Sequence, residues 1–390
     1  MSTVAITDIG SLVTNDPNVG HGALGLLEDA ALVIDEGVIS WVGHKSQLQA
    51  TDELISVEGR TVLPGFVDSH AHLMFAGDRA AEFESRMNGQ TYSAGGIRST
   101  VAATRQASDV QLLENLTRLQ AEMLAGGITT FETKSGYGLD VETEVRSLRL
   151  ANQATSEVTY LGAHVVPAEY SRNPDAYVDL VCNQMLSAVT PHAKWIDVFC
   201  EQGAFDPDQA RHILTAGKAV GLQPRIHANQ LHARNGIQVA VDCDAASADH
   251  CTHLTDHDID LLAGSKTVAT LLPGAEFSTR SPYPNARRLI DAGATVAIAT
   301  DCNPGSSYTT SMAFCIAVAV REMGMTPAEA VLSATVGGAK ALRRNDVGHL
   351  GLGARADFSV LNAPSYIHLS YRPGVNLIDQ VWQGGQRSTK

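Results

Sequence analysis

The sequence predicts an α/β chain: a (β/α)8 TIM-like barrel with a small β-sandwich domain built from both termini. Three observations carry this. Eight apolar, β-rich runs lie between residues 61 and 300, most with helical patterns between them, the alternation that gives a parallel sheet covered by helices. No G-x-G-x-x-G follows a strand and no P-loop occurs, so the rival open doubly wound sheet lacks its nucleotide-binding signatures. The two ends share a strand-and-glycine texture that the middle lacks. The expected domains are 1–60 plus 350–390 for the β module and 61–349 for the barrel.

In chain order, residues 31–43 (ALVIDEGVISWVG) set two β-branched runs around Asp35, Glu36 and Gly37, a hairpin signal. The barrel runs are 61–67 (TVLPGFV), 128–133 (ITTFET), 157–163 (EVTYLGA), 195–199 (WIDVF), 223–227 (QPRIH), 245–249 (AASAD), 267–272 (TVATLL) and 295–300 (TVAIAT). The clearest helix between them is 109–124. Ser108 and Gln111 form a capping box before it, Val110, Leu113, Leu116, Met123 and Leu124 read as its apolar face, and Gly126 and Gly127 stop it. A second helix is expected over 207–220, ending at Gly221, and two more over 309–323 and 326–342. In the tail, 357–361 (DFSVL) and 376–382 (NLIDQVW) are strand-like, punctuated by Gly351, Gly353 and Gly384.

Composition narrows the function. Of 390 residues, 44% are hydrophobic and 18% charged, which suits a packed core and excludes a disordered or collagenous chain. Lys plus Arg is 28 against 42 Asp plus Glu, a net charge of −14, which disfavours nucleic acid and anionic membranes as partners. The six cysteines contain no C-x-x-C pair and read as reduced, buried thiols in a cytoplasmic protein. The N-terminal stretch has no basic n-region and no apolar run reaches 18 residues, so neither a signal peptide nor a membrane span is expected.

Catalytic groups of such barrels gather at the C-terminal ends of strands. There the sequence places Asp68 to His72 (DSHAH), then Glu132, Lys134 and Tyr137, then His164, Glu201, His227, His250 and Asp301. The His70-Ala71-His72 pair alone is weak, since about half an H-x-H pair is expected by chance in a chain of this composition. Its context strengthens it, because residues i and i+2 of a strand face the same side and both imidazoles can share one ion. His227 and Asp301 then complete three nitrogens and one oxygen, a set suited to Zn²⁺ or another first-row divalent ion. Asp301 can also serve as general base, and His250 can hydrogen-bond a carbonyl oxygen as charge develops there. His250 reads equally well as a structural histidine.

Several segments resemble the imidazolonepropionase family of metal-dependent amidohydrolases: PGFVDSHAHLMFAGDRAAEF (64–83), GGIRSTVAATR (95–105), TTFETKSGYGLDVETE (129–144), YLGAHVVPAEY (160–170), DVFCEQGAF (197–205), IHANQ (226–230), SADH (247–250), ATLLPGAEFS (269–278) and ATDCNPGSS (299–307). The resemblance implies a (β/α)8 barrel with a β-sandwich from both termini, and hydrolytic ring opening of 4-imidazolone-5-propanoate to N-formimidoyl-L-glutamate in histidine degradation. It implies one divalent metal, zinc or iron, on His70, His72, His227 and Asp301. It implies substrate contacts at Arg79, Tyr92, Tyr137, His164 and Gln230, product-side contacts at Asn303, Gly305 and Ser306, and a homodimer. A guanidinium at Arg79 suits a propanoate, although a loop arginine bridged to Glu82 fits the same residues. Tyr137 lies in a Gly-Tyr-Gly turn, and 303–306 (NPGS) reads as a tight turn with or without a ligand.

Two departures from the family stand out. Some relatives carry Glu where this chain has Gln230, and an amide cannot act as a base, so proton transfer falls to Asp301 with His250 assisting. The segment 88–97 (NGQTYSAGGI) is shorter than in relatives, which puts the Tyr92 contact in question. Two rival functions remain at this level: another cyclic-amide hydrolase or deaminase of the same superfamily, and a non-catalytic scaffold on the same fold. The filled ligand positions disfavour the scaffold.

Overall fold

The computed structural model describes residues 3–89 and 96–388. The chain divides into two compact units, one of Met1–Asp68, Ala121–Thr130 and Ser311–Lys390, the other of Ser69–Gln120 and Phe131–Thr310.

The second unit holds a parallel sheet with helices between its strands. Its strands run in the order Thr133–Lys134, Val158–Ala163, Trp195–Cys200, Ile226–Ala228, Ser247–His250, Val268–Leu271 and Val296–Ile298, each parallel to the next, with Gln223–Pro224 added beside Trp195–Cys200. The segment 70–72 closes the ring. Lys134 N–H donates to Ala71 O (3.1 Å), Asp301 N–H to His70 O (2.9 Å) and His72 N–H to Cys302 O (3.0 Å). This is a TIM-like barrel. Val158–Ala163, Trp195–Cys200 and Val268–Leu271 are buried throughout, because a barrel strand is covered on one face by helices and on the other by its own interior.

The helices between strands begin on side-chain caps. Asp140 starts Val141–Ala151, Asp206 starts Pro207–Ala219 with Gln209 reciprocating, and Thr255 starts Asp256–Ala263 with Asp258 reciprocating. The expected Ser108–Gln111 box forms. The apolar face of Asp109–Ala125 differs from the expected one. Leu112, Leu116, Leu119 and Met123 are buried, whereas Val110 is 64% exposed. Their spacing keeps strictly to one side of a 3.6-residue turn, and Val110 falls off it.

The first unit holds a sheet drawn from both ends of the chain. Its order is Gln386–Arg387, Ile378–Gln383, Phe358–Leu361, Thr61–Pro64, Val4–Val13, Leu26–Asp35 and Val38–His44, with Glu53–Ser56 also paired to Val4–Val13. Its core gathers Ile6, Ile9, Leu12, Leu32, Phe358 and Trp382. The expected hairpin is present, with Glu36 and Gly37 both at positive φ (49° and 79°), as its turn requires. The run expected as one barrel strand over 61–67 is in fact two. Thr61–Pro64 joins the terminal sheet, and only Phe66–Asp68 pairs with Ile128–Phe131. Gly65 between them lies so close to Thr129 Oγ1 that a Cβ there would sit 2.1 Å from it. The helix expected over 309–323 spans Met312–Glu322, and 326–342 is Pro327–Leu332 followed by a π-helical turn, Ser333–Gly337, and Gly338–Ala341.

Candidate metal centre and active site

Four donor atoms converge at the strand ends. His70 Nε2 lies 3.2 Å from His72 Nε2, and His72 Nε2 lies 3.3 Å from His227 Nε2. Asp301 Oδ1 lies 3.4 Å from His70 Nε2 and 3.5 Å from His72 Nε2. All four residues are at most 3% exposed. Tetrahedral ligands at about 2.0–2.1 Å from a metal are separated by about 3.4 Å, so the donor set has the span a divalent ion needs.

The hydrogen bonding behind the rings fits the same ion. His70 Nδ1 faces Asp249 Oδ2 at 2.7 Å and His227 Nδ1 faces Asp197 Oδ1 at 3.1 Å. Each carboxylate fixes its ring with the proton on Nδ1, leaving the Nε2 lone pair aimed at the shared point. Lone pairs and a carboxylate oxygen crowded there repel one another unless a cation sits among them. Burial, reinforced by neighbouring positive charge, holds His70 and His72 well below the ordinary imidazole range, which keeps them neutral and ready to ligate. Burial pushes the Asp301 carboxyl well above its usual range, against hydrogen bonds from Ser306 and Asn303.

Beneath this site lies a buried charge network. Lys134 Nζ bonds Glu132 Oε1 and Asp197 Oδ2, both at 2.9 Å, and Arg225 Nη2 lies 3.5 Å from Asp249 Oδ2. Burial works against the Lys134 charge, but the Asp197 and Glu132 carboxylates outweigh it and raise its pKa. Each carboxylate that orients a ligand imidazole therefore has its own fixed cation. Asp197, Arg225 and Asp249 were not foreseen as site residues. Their signal is present as a charged residue in each of the runs WIDVF, QPRIH and AASAD, a position that a buried strand tolerates only with a partner.

Most of the remaining predicted residues, though not Gly305, surround a cavity that opens onto the donors. Arg79, Tyr137, His164, Gln230, His250, Asn303 and Ser306 line it together with His72, His227 and Asp301. His164 stacks on His72 with ring centroids 5.4 Å apart. Its Nδ1 donates to Gly136 O at 2.9 Å, so Nε2 is left as an acceptor, and burial lowers its pKa to about 3. His250 stands 5.5 Å from the His227 ring, with φ at 78° and no hydrogen-bond partner for Nδ1 among the described residues.

Arg79 is bridged to Glu82, as one expected description had it, and it also reaches the cavity. Its Nε and Nη2 grip Glu82 at 2.8 and 2.5 Å, and it lines the cavity. A Cβ on Gly305 would stand 2.3 Å from Nη1, and one on Gly96 2.3 Å from Nη2, so two glycines make room for the guanidinium. The 303–306 loop spends its donors on itself. Gly305 and Ser306 N–H donate to Asn303 Oδ1 (2.7 and 2.9 Å), Asn303 Nδ2 donates to Asp301 Oδ1 (2.9 Å), and Ser306 Oγ donates to Asp301 Oδ2 (2.9 Å). Tyr92 lies outside the described residues.

Comparison with known proteins agrees with this chemistry. The model of the amidohydrolase family matches residues 61–387. An imidazolonepropionase of Streptomyces griseus subsp. griseus is 65% identical over 388 residues, covering 99% of this chain and 100% of the relative. One of Mycolicibacterium smegmatis is 63% identical over 386 residues, covering 99% and 98%. Among solved structures, a triazine hydrolase variant superposes with a TM-score of 0.76 at 17% identity, over 99% of this chain and 94% of that one. A zinc-bound adenosine deaminase from Xanthomonas campestris gives 0.73 at 17%, over 98% and 92%. At that identity the two structures speak for the fold alone. On the match over 61–387 and the full-length identities, the chain belongs to the amidohydrolase family, and within it to the imidazolonepropionases.

Proposed function

We propose that the chain hydrolyses 4-imidazolone-5-propanoate to N-formimidoyl-L-glutamate, a ring-opening step of histidine degradation. The 65% identity to an imidazolonepropionase over 388 residues carries this reading, and the donor set and cavity fit it. A divalent ion, zinc or iron, on His70, His72, His227 and Asp301 would supply Lewis acidity where the donors converge.

The chain's own residues do the rest. The Arg79 fork, preset by Glu82, takes the propanoate carboxylate. Tyr137, His164 and Gln230 face the ring, with His164 Nε2 as acceptor for a ring N–H. Asp301 accepts the proton of the attacking water and passes it to the departing ring nitrogen. His250 donates to the carbonyl oxygen as it gains charge. Gln230 orients water or substrate and transfers no proton. The 303–306 loop acts through Asp301, by holding both of its oxygens.

The test is turnover of imidazolonepropanoate generated from urocanate, with loss of ring absorbance and mass detection of the product. Formimidoylglutamate formed above the spontaneous rate is expected. Turnover of guanine or a hydantoin, with none of the imidazolone, would assign the chain to another cyclic-amide hydrolase or deaminase. We further read the terminal sheet as a β-sandwich that includes Thr61–Pro64, the rest of the expected 61–349 span as the barrel domain, the working form as a homodimer and the location as the cytoplasm. No helix among the described residues is long and apolar enough to cross a membrane.

A further inference from the structure

Glu201 is 1% exposed, follows the strand Trp195–Cys200 and, among the described residues, hydrogen-bonds no metal-ligand candidate. Its carboxylate is nonetheless fully engaged. Oε2 accepts Leu231 N–H at 2.9 Å and His232 N–H at 3.3 Å. Oε1 accepts Gln202 N–H at 2.7 Å and faces His232 Nδ1 at 3.3 Å. Three of these four groups belong to the loop that leaves the neighbouring strand, Ile226–Ala228.

The other end of that loop is pinned as well. Asn229 takes a left-handed conformation, φ 54°, which costs a non-glycine residue free energy and persists only when its surroundings hold it. Here the hold comes from His253: its N–H donates to Asn229 O (2.9 Å), and its carbonyl accepts from Asn229 Nδ2 (3.0 Å). Between these two anchors lies a single residue, Gln230, whose side chain lines the cavity.

We propose that Glu201 is a positioning residue for Gln230: it fixes the Leu231 and His232 amides so that the Gln230 amide meets the substrate in one orientation. This rests on the reading of Gln230 as a substrate contact. A carboxylate suits the task because it accepts on both oxygens and donates on neither. A glutamine amide would turn an NH2 toward one pair of N–H donors, and the loop would release one anchor.

The test is a double-mutant cycle on the metal-loaded full-length protein, made of Glu201→Gln, Gln230→Ala and the pair, with kcat and KM resolved. Metal content per chain and thermal midpoint serve as the fold check. Each single variant is expected to lower kcat/KM by about 10-fold or more, and Glu201→Gln to cost less than about twofold once Gln230 is alanine. Multiplicative losses, or a neutral Glu201→Gln beside a costly Gln230→Ala, overturn the positioning role and leave the Gln230 contact standing. A neutral Gln230→Ala overturns the Gln230 reading and the proposal with it. Where Glu201→Gln does not accumulate as folded protein, Glu201→Asp, which keeps the charge but withdraws the oxygens by one methylene, enters the same cycle.

Discussion

Asp301 has both oxygens committed before any substrate arrives, Oδ1 to the donor cluster and Asn303, Oδ2 to Ser306. Its proton-accepting role requires a carboxylate. Asp301→Asn is therefore expected to fold, by circular dichroism and thermal midpoint, yet to lose about 100-fold or more in kcat; near wild-type turnover would sink the assignment. Arg79 makes a different demand, for shape. Its fork is braced by Glu82 and fits beside Gly96 and Gly305, a geometry that a lysine point charge cannot reproduce. Arg79→Lys should raise KM about 10- to 100-fold with a smaller change in kcat, and an unchanged KM would show that the propanoate is held elsewhere. These residues were legible in the sequence because strand ends and the i, i+2 rule place His70, His72, His227 and Asp301 together. Asp197, Arg225 and Asp249 were not, because a charged residue in a strand shows its role only through a partner far away in the sequence. Asp249 meets His70 across 179 positions.

Elements show the same division between local and distant causes. Each of the eight expected runs contains a strand, legible from apolar content and flanking breakers. The split of 61–67 at Gly65 was not, because it depends on which neighbours Thr61–Pro64 pairs with. Caps read well because they are local: Ser108 with Gln111 was legible from four residues. Two carboxylates near helix N-termini separate stability from activity. Asp206 caps Pro207–Ala219 through Gln209 N–H at 2.8 Å. Asp206→Ala should cost about 1 kcal/mol of stability and leave kcat and KM unchanged. Glu144 instead turns back to accept the N–H groups of Gly136, Gly138 and Leu139, the last two at 2.9 Å. That loop carries Tyr137, so Glu144→Gln should lower stability by about 1–3 kcal/mol and raise KM as well. Equal effects of the two variants on KM would remove the distinction.

At the scale of the whole molecule, stability depends on groups that the barrel buries at its mouth. A chelator should abolish turnover and lower the thermal midpoint, because an ion that binds only the folded ring of donors stabilises it by mass action; an unchanged midpoint would mean that the donors stand without an ion. Glu276 offers a second handle. It is 2% exposed, Oε1 accepts the Thr252 hydroxyl at 2.7 Å, and Oε2 has no partner among the described residues. Burial, only partly opposed by the Thr252 hydrogen bond, pushes its pKa from 4.5 up to about 8. The folded chain thus holds a proton that the unfolded chain has released, so stability falls as pH rises through this window and levels off above the folded pKa. The slope from this one group is at most about 1.4 kcal/mol per pH unit. Glu276→Gln stays neutral throughout and keeps an acceptor for Thr252. Denaturant midpoints of the metal-loaded proteins should nearly coincide below about pH 4, under the unfolded pKa, then separate in favour of the variant up to about pH 8. A difference that does not change with pH would show that Glu276 is already ionised inside the fold.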